Sequence, residues 1–320
     1  MSNPAVLEKR LSLCLLSVIL VTLCLLTGMN VLIDPFGVFG TSQLPQSSSS
    51  NERYLKIEHL LRNPESYDTI ILGSSRSGMT NPEWVEAYLG RPTYNLSAFS
   101  AKPSDMTNLF NAAVGANQSI DTVVIGIDAM SFLIEPSSQD LSRRHHPVLG
   151  LQRTASYWLD YILAPSFLVS AEKVFSRNDP PVLFDYDKGV YELVHYDRQI
   201  RKDHKSYVAD TFEGWKPVYA NSEFNETEWL HLESLVKDLK DKGIWVIGFL
   251  QPVHHQWASR MGNILRETKA RAIEIGFEDL SGLGSEDDLL WYEQRHYRSE
   301  IAHAVLENLF FLSMVEVLED

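Results

Sequence analysis

Cysteine is almost absent from this chain of 320 residues: only Cys14 and Cys24 occur, both inside one uncharged N-terminal run. The rest of the chain therefore holds no disulfide framework and no thiol chemistry. Basic residues are also scarce, 28 Lys and Arg against 42 Asp and Glu, for a net charge of −14. The nearest approaches to a basic cluster are Arg143-Arg144 and Arg201-Lys202. Nucleic acid is excluded as an expected partner, because phosphate binding needs a concentrated cationic footprint. Histidines suited to a metal are lacking as well. His145-His146 and His254-His255 are adjacent pairs, and neighbouring histidines rarely face one ion. No metal and no organic cofactor is expected.

Charge is missing altogether between Arg10 and Asp34. At 1.5 Å per residue, a helix over 11–33 spans a ~30 Å hydrocarbon core. A secretory signal has a shorter apolar region followed by small residues at its cleavage site. Here the run ends Gly28-Met29-Asn30-Val31-Leu32-Ile33, which favours an uncleaved anchor. Lys9 and Arg10 precede it, and the next basic residue is Arg53. The positive-inside rule then leaves residues 1–10 cytoplasmic and exports everything after residue 33. The expectation is a single-pass inner (plasma) membrane protein with its C-terminal domain periplasmic or extracellular.

Beyond the anchor, the chain divides into a tether over 34–51, with Ser47 to Ser50 in a row, and an exported domain over 52–320. Apolar strand candidates at 69–75, 93–98, 122–127 and 244–250 alternate with helical stretches at 53–62, 82–89, 104–114, 226–242 and 299–314. Asn81-Pro82 is a cap with a proline in the first turn, and Gly243 closes the helix that Asn225 opens. Thr122 to Ile127 is apolar throughout its length, as in a strand buried on both faces. This alternation predicts an α/β fold with a mostly parallel sheet and helices on both sides. The stretch 131–222 breaks the pattern and reads as an insertion of helices and loops at the carboxyl edge of the sheet.

The most informative segment is Thr69-Ile70-Ile71-Leu72-Gly73-Ser74-Ser75-Arg76. An apolar strand ending in glycine delivers the next side chains to the rim where α/β proteins bind ligands. A serine there becomes a nucleophile if a base reaches it, and Glu293-Gln294-Arg295-His296 supplies a candidate base. Read without the rest of the chain, Gly-Ser-Ser is also an ordinary strand-ending turn. Gln251-Pro252-Val253-His254-His255 ends another strand at the same edge and can bring a histidine toward the cleft. Trp245 and Trp291 are read as core aromatics rather than sugar-stacking platforms.

Four blocks in order now carry a resemblance: Gly73-Ser74-Ser75, Tyr94-Asn95-Leu96-Ser97, Val123-Val124-Ile125-Gly126-Ile127-Asp128 and Glu293-x-x-His296. Together they resemble SGNH (GDSL-like) hydrolases over roughly residues 66–312, in particular membrane-anchored, exported members associated with acyl modification of cell-surface polysaccharides. The resemblance implies a three-layer α/β/α, flavodoxin-like sheet. It implies Ser75 as nucleophile, His296 as base and Glu293 as its orienting carboxylate, with Glu286, Asp287 and Asp288 as nearby substitutes. A carboxylate three residues before the histidine shares its face of a turn. Ser100 stands near a family glycine whose N–H serves the oxyanion, and Asn95 belongs to the same block. Asp128 stands where the family offers an asparagine amide, and a carboxylate only accepts hydrogen bonds. An Arg76–Asp128 ion pair is expected to explain that exchange, leaving Arg76 either structural or open to a substrate carboxylate or oxyanion. The implied partners are a cell-envelope glycan or acyl donor and a membrane-bound acyltransferase. The implied activity is ester hydrolysis or O-acyl transfer, and the alternative is a non-catalytic accessory or glycan-binding protein of an envelope-polymer machine.

Overall fold

The computed structural model describes residues 4–41, 50–116, 119–134, 140–149, 154–164, 182–212 and 222–319. Strands β1 (Thr69–Gly73), β2 (Thr93–Asn95) and β3 (Thr122–Ile127) are followed by a hairpin of β4 (Leu183–Asp185) and β5 (Val190–Glu192). Then come β6 (Trp245–Leu250), β7 (Glu278–Asp279) and a second hairpin of β8 (Trp291–Glu293) and β9 (His296–Tyr297). Five of these form one parallel sheet in the order β2-β1-β3-β6-β7. The order reverses direction between β1 and β3, and ligands of open α/β sheets bind at such a switch point.

Helices α1 (Pro4–Ile33), α2 (Glu52–Arg62), α3 (Pro82–Leu89), α4 (Pro103–Gly115) and α5 (Thr154–Leu163) precede the first hairpin. After it come α6 (Val194–Lys202), α7 (His204–Phe212), α8 (Glu226–Asp241), α9 (His255–Met261), α10 (Asn263–Glu274) and α11 (Ser299–Glu319). Successive strand residues point to opposite faces. Ile70, Leu72, Val123 and Ile125 therefore meet Leu60 of α2, Leu109 of α4 and Leu232 of α8, while Ile71, Val124 and Ile247 meet Val85 of α3 and Val305 of α11. Burying each such side chain contributes about 1.5–3 kcal/mol, and with both faces covered the strands have no polar positions to alternate. The caps fall where the sequence puts them. Asn81 Oδ1 accepts from Glu83 N–H at 3.0 Å, and Asn225 Oδ1 accepts from Glu228 N–H at 3.2 Å.

Helix α1 is long and apolar enough over Glu8–Ile33 to cross a membrane, and none of its most apolar window is buried. Of the segment expected as a tether, residues 34–41, 50 and 51 are described, and they are packed. Asn30 Nδ2, in the last turn of α1, donates to the carbonyls of Ile162 (2.7 Å) and Ala164 at the end of α5. Phe36 packs edge-on against Tyr161, Phe39 lies against Trp158, and Asn51 N–H donates to the Phe36 carbonyl at 2.8 Å. These contacts hold Asn30, Phe36 and Phe39 against α5 and the residues beside it. Ser47 to Ser49 lie outside the described residues.

The insertion also departs from helices and loops alone, because the β4–β5 hairpin lies within it. Its strands are short and half exposed, so they show no hydrophobic period. What fixes the hairpin is its turn. Gly189 has φ +74°, and a Cβ there would fall 1.9 Å from the Asn95 carbonyl. The Lys188 carbonyl accepts from Asn95 N–H at 3.2 Å. Residues 135–139, 150–153, 165–181 and 213–221 of the insertion lie outside the described residues.

Candidate active site

Gly73 ends β1 directly beside Gly126 of β3. A Cβ on either would come within 2.1–2.4 Å of Ser77 Oγ, so the paired glycines make room for the turn at the end of the strand. That turn runs through a short 3₁₀ helix, Ser77–Met79, and leaves Ser74 buried and Ser75 half-buried at the carboxyl edge of the sheet. On the far side, the β8–β9 hairpin places Glu293 and His296 opposite one another. The carboxylate three residues before the histidine therefore meets it across a two-residue hairpin turn, not along a helical turn. Directly opposed side chains of an antiparallel pair share a face, so the same spacing serves.

Ser75 Oγ lies 2.8 Å from His296 Nε2, and His296 Nδ1 is hydrogen-bonded to Glu293 Oε1. A carboxylate only accepts, so Nδ1 carries the proton and Nε2 presents its lone pair to the Ser75 hydroxyl. Burial alone would push the Glu293 carboxyl up. His296, the Arg295 N–H at 2.9 Å and the Arg295 guanidinium outweigh it and hold the carboxyl below its ordinary range. The alternative carboxylates are engaged elsewhere: Asp288 with His254, Glu286 near His255 at 3.7 Å, and Asp287 on the Leu289 N–H.

Arg76 and Asp128 form the ion pair expected of them, Nε to Oδ2 at 3.3 Å with both side chains buried. Arg76 Nη1 donates to the Pro252 carbonyl at 2.8 Å, and Nη2 is buried with no hydrogen-bond partner among the described residues. Asp128 is further occupied by the Met130 N–H at 3.0 Å and the Ser74 hydroxyl at 3.4 Å. Asn95 does not reach the cleft. Its amide nitrogen donates to the carbonyls of Ser77 and Thr80, and its oxygen accepts from Ser97 N–H, so it braces the turn that follows Ser75. Ser100 sits exposed on the rim with φ +50°, a backbone conformation in which glycine is unstrained and serine is not.

Two cavities meet at this point. One of about 160 Å³ is bordered by Ser75, Arg76, Ser100 and Asp128; the other, about 540 Å³, is bordered by Glu52, Arg53, Tyr196 and Glu293. Phe99, Ser100, Arg295 and His296 line both. The insertion thus walls the larger cavity, with Tyr196 on α6 and Thr211 on α7. Tyr191 of β5 packs its ring against Gly78, where a Cβ would come within 2.3 Å of it, and its buried hydroxyl neighbours Ser75.

His254, His255 and Asp288 bring possible ligand atoms within 4.8 Å of one another. Both ring nitrogens of His254 are already committed, Nε2 to Asp288 at 2.7 Å and Nδ1 to the Gln256 N–H at 3.3 Å. Neither histidine borders the two cavities. Trp291 is fully buried, whereas Trp245 is 48% exposed at the start of β6, the end of the sheet away from the site.

Several residues that matter here carry no signal of function in the sequence. Gln251 and Tyr297 link the two halves of the site, and Glu52 and Arg53 line the larger cavity from the first turn of α2. The polar Gln251 closing an apolar strand is the one local hint. Comparison with known proteins finds no family model and no curated protein that matches this chain.

Proposed function

We propose that this chain is a membrane-anchored, SGNH-like serine esterase or O-acyltransferase acting on a cell-envelope glycan or lipid-linked sugar. The observation that carries the reading is the line of contacts from Ser75 through His296 to Glu293, with 2.8 Å between Oγ and Nε2. His296 Nε2 takes the hydroxyl proton as Ser75 Oγ attacks the ester carbonyl, and Glu293 steadies the resulting imidazolium. The proton then passes to the departing alcohol, leaving an acyl-Ser75. Water or a sugar hydroxyl attacks that ester, giving its proton to His296 and restoring Ser75.

The developing oxyanion needs donors. Ser75, Ser100 and Arg76 border the smaller cavity, and the backbone N–H groups of the two serines and the Nη2 of Arg76 have no hydrogen-bond partner among the described residues. In this reading Arg76 does part of what an asparagine amide would do, while Asp128 holds it in place. Helix α1 supports an anchor with residues 1–10 cytoplasmic and the domain exported, where the acyl group arrives from a donor or from a membrane-bound acyltransferase.

One observation favours a second reading. Asp128 presents a carboxylate where an oxyanion would want a donor, which suits a non-catalytic accessory or glycan-binding protein of an envelope-polymer machine. The two readings separate in one experiment on the full-length protein in detergent. The enzyme hydrolyses an aryl acetate and reacts with a fluorophosphonate at Ser75, and Ser75→Ala and His296→Ala abolish both. The single losses should nearly equal that of the double variant, since nucleophile and base act as a unit. A folded protein that neither turns over nor labels is the accessory protein.

A further inference from the structure

The larger cavity holds two buried, adjacent side chains with unused hydrogen-bonding capacity. Arg53 is 2% exposed, and only its Nη2 is engaged, with the Phe99 carbonyl at 3.0 Å and Asp105 at 3.4 Å. Its Nε and Nη1 have no hydrogen-bond partner among the described residues, and neither has Oε2 of Glu52, which is 1% exposed and lies 3.9 Å from Lys56 Nζ. Burying such groups unmatched is costly, so whatever fills this cavity must offer both acceptors and donors.

We infer that Glu52 and Arg53 form a subsite for a neutral sugar ring in the cavity beside His296. Charge selects the neutral ligand. Glu52 faces Lys56 at 3.9 Å, Arg53 faces Asp105, Arg143 faces Asp140 at 3.8 Å, and Glu293 faces His296 and Arg295. Each charged side chain that the described residues place around the cavity has an opposite partner, so they leave no surplus to attract an anion or a cation. A hydroxyl accepts and donates at once: it takes a bond from Arg53 Nη1 or Nε and gives one to Glu52 Oε2. A carboxylate ligand would have nothing to donate to Glu52, and an ammonium nothing to accept from Arg53. Half-buried Phe99 and Tyr196 border the same cavity and offer apolar surface to the C–H face of a pyranose. At about 540 Å³ the cavity is within the ~300–1,000 Å³ range of small-ligand clefts.

The role of this sugar as acyl acceptor rests on the proposed esterase or acyltransferase reading; its binding does not. The test therefore uses full-length Ser75→Ala protein in a detergent without a sugar headgroup. A panel of neutral oligosaccharides (β-linked glucose, mannose and N-acetylglucosamine tetramers) and a hexuronate tetramer is measured by saturation-transfer NMR and calorimetry. At least one neutral member should bind saturably. Arg53→Met and Glu52→Gln should each weaken it by about tenfold or more, the loss of a charged hydrogen bond. Arg53→Lys, which keeps the charge but loses the planar fork, serves if Arg53→Met does not fold and should weaken binding in the same direction. Binding of the hexuronate alone, of nothing in the panel, or of a neutral sugar indifferent to both residues overturns the subsite. Sugar binding by a wild type that turns over no ester keeps the subsite and removes the enzyme reading.

Discussion

The Tyr297 hydroxyl donates to Gln251 Oε1 at 2.5 Å, and Gln251 Nε2 donates in turn to Ser77 Oγ. Tyr297 is next in the chain to His296, and Ser77 lies two residues after Ser75. A single buried amide at the end of β6 therefore holds the two sides of the site in register, with Ser77 also donating to the Gly126 carbonyl at 3.4 Å. Removing it should misplace Ser75 and His296 without touching either. Gln251→Leu is expected to lower kcat by up to about 10²-fold with a smaller change in KM, as misplacement by about 1 Å does. Tyr297→Phe should reproduce part of the loss. Steady-state kinetics on an aryl acetate decide it, and an unchanged kcat would show that the link positions nothing.

Glu293→Gln replaces an acceptor with a side chain that can also donate to Nδ1 and favour the wrong tautomer. The esterase rate should fall by on the order of 10²–10⁴. Fluorophosphonate labelling of Ser75 should slow in parallel, and equal labelling rates would leave Glu293 without an orienting role.

The same carboxyl is held below its ordinary range in the folded protein, so its contribution to stability has a definite pH window. It is fully present above the unfolded value of about 4.3 and is lost as pH falls through the lower folded value. The stability difference between wild type and Glu293→Gln should be flat above that pH and shrink below it, read by urea unfolding across the acid range.

Arg76 and Asp128 are buried together. Asp128→Leu should lower stability by about 3–5 kcal/mol by leaving Arg76 uncompensated, and adding Arg76→Met to it should recover much of that loss. Chemical denaturation of the wild type, Arg76→Met, Asp128→Leu and the double variant gives the coupling. Additive losses would mean that the two side chains do not act as a pair.

Lys56 is buried and donates to the Ser97 carbonyl. Burial pushes its amine down to about 8, with Glu52 opposing. An isotope-labelled lysine spectrum should show one amine titrating near that value, absent in Lys56→Met, while exposed lysines titrate near ~10.4. Because the folded value is the lower one, the unfolded chain binds more protons in between, and this group's contribution to stability rises with pH across that window.

Much of the framework is legible in the sequence because hydrophobic period and end signals agree. Thr122 to Ile127 reads as a doubly covered strand and is one, and α3 and α8 start at the asparagines that cap them. Ser75 is legible at the end of its apolar strand and His296 as a candidate base, but their grouping with Glu293 comes from the resemblance, because the strands of the β8–β9 hairpin are too short to read. Other parts depend on distant partners. The β4–β5 hairpin has three-residue strands whose turn is shaped by the Asn95 carbonyl, about ninety residues away in sequence, and β7 is only two residues long. Glu52 and Arg53 look like an ordinary amphipathic helix start; only α2's packing against the Phe99 loop, where Glu52 accepts the Phe99 N–H, turns them toward the cavity.

Asn30 grips the end of α5 from the last turn of the apolar helix, and Phe36 and Phe39 close the joint. With α1 embedded in a bilayer, that joint acts as a bracket and not a leash. The cleft would then sit at a fixed height and heading above the lipid. Lengthening the chain between Asp34 and Asn51 would not change that height while the bracket holds; loosening Asn30 would.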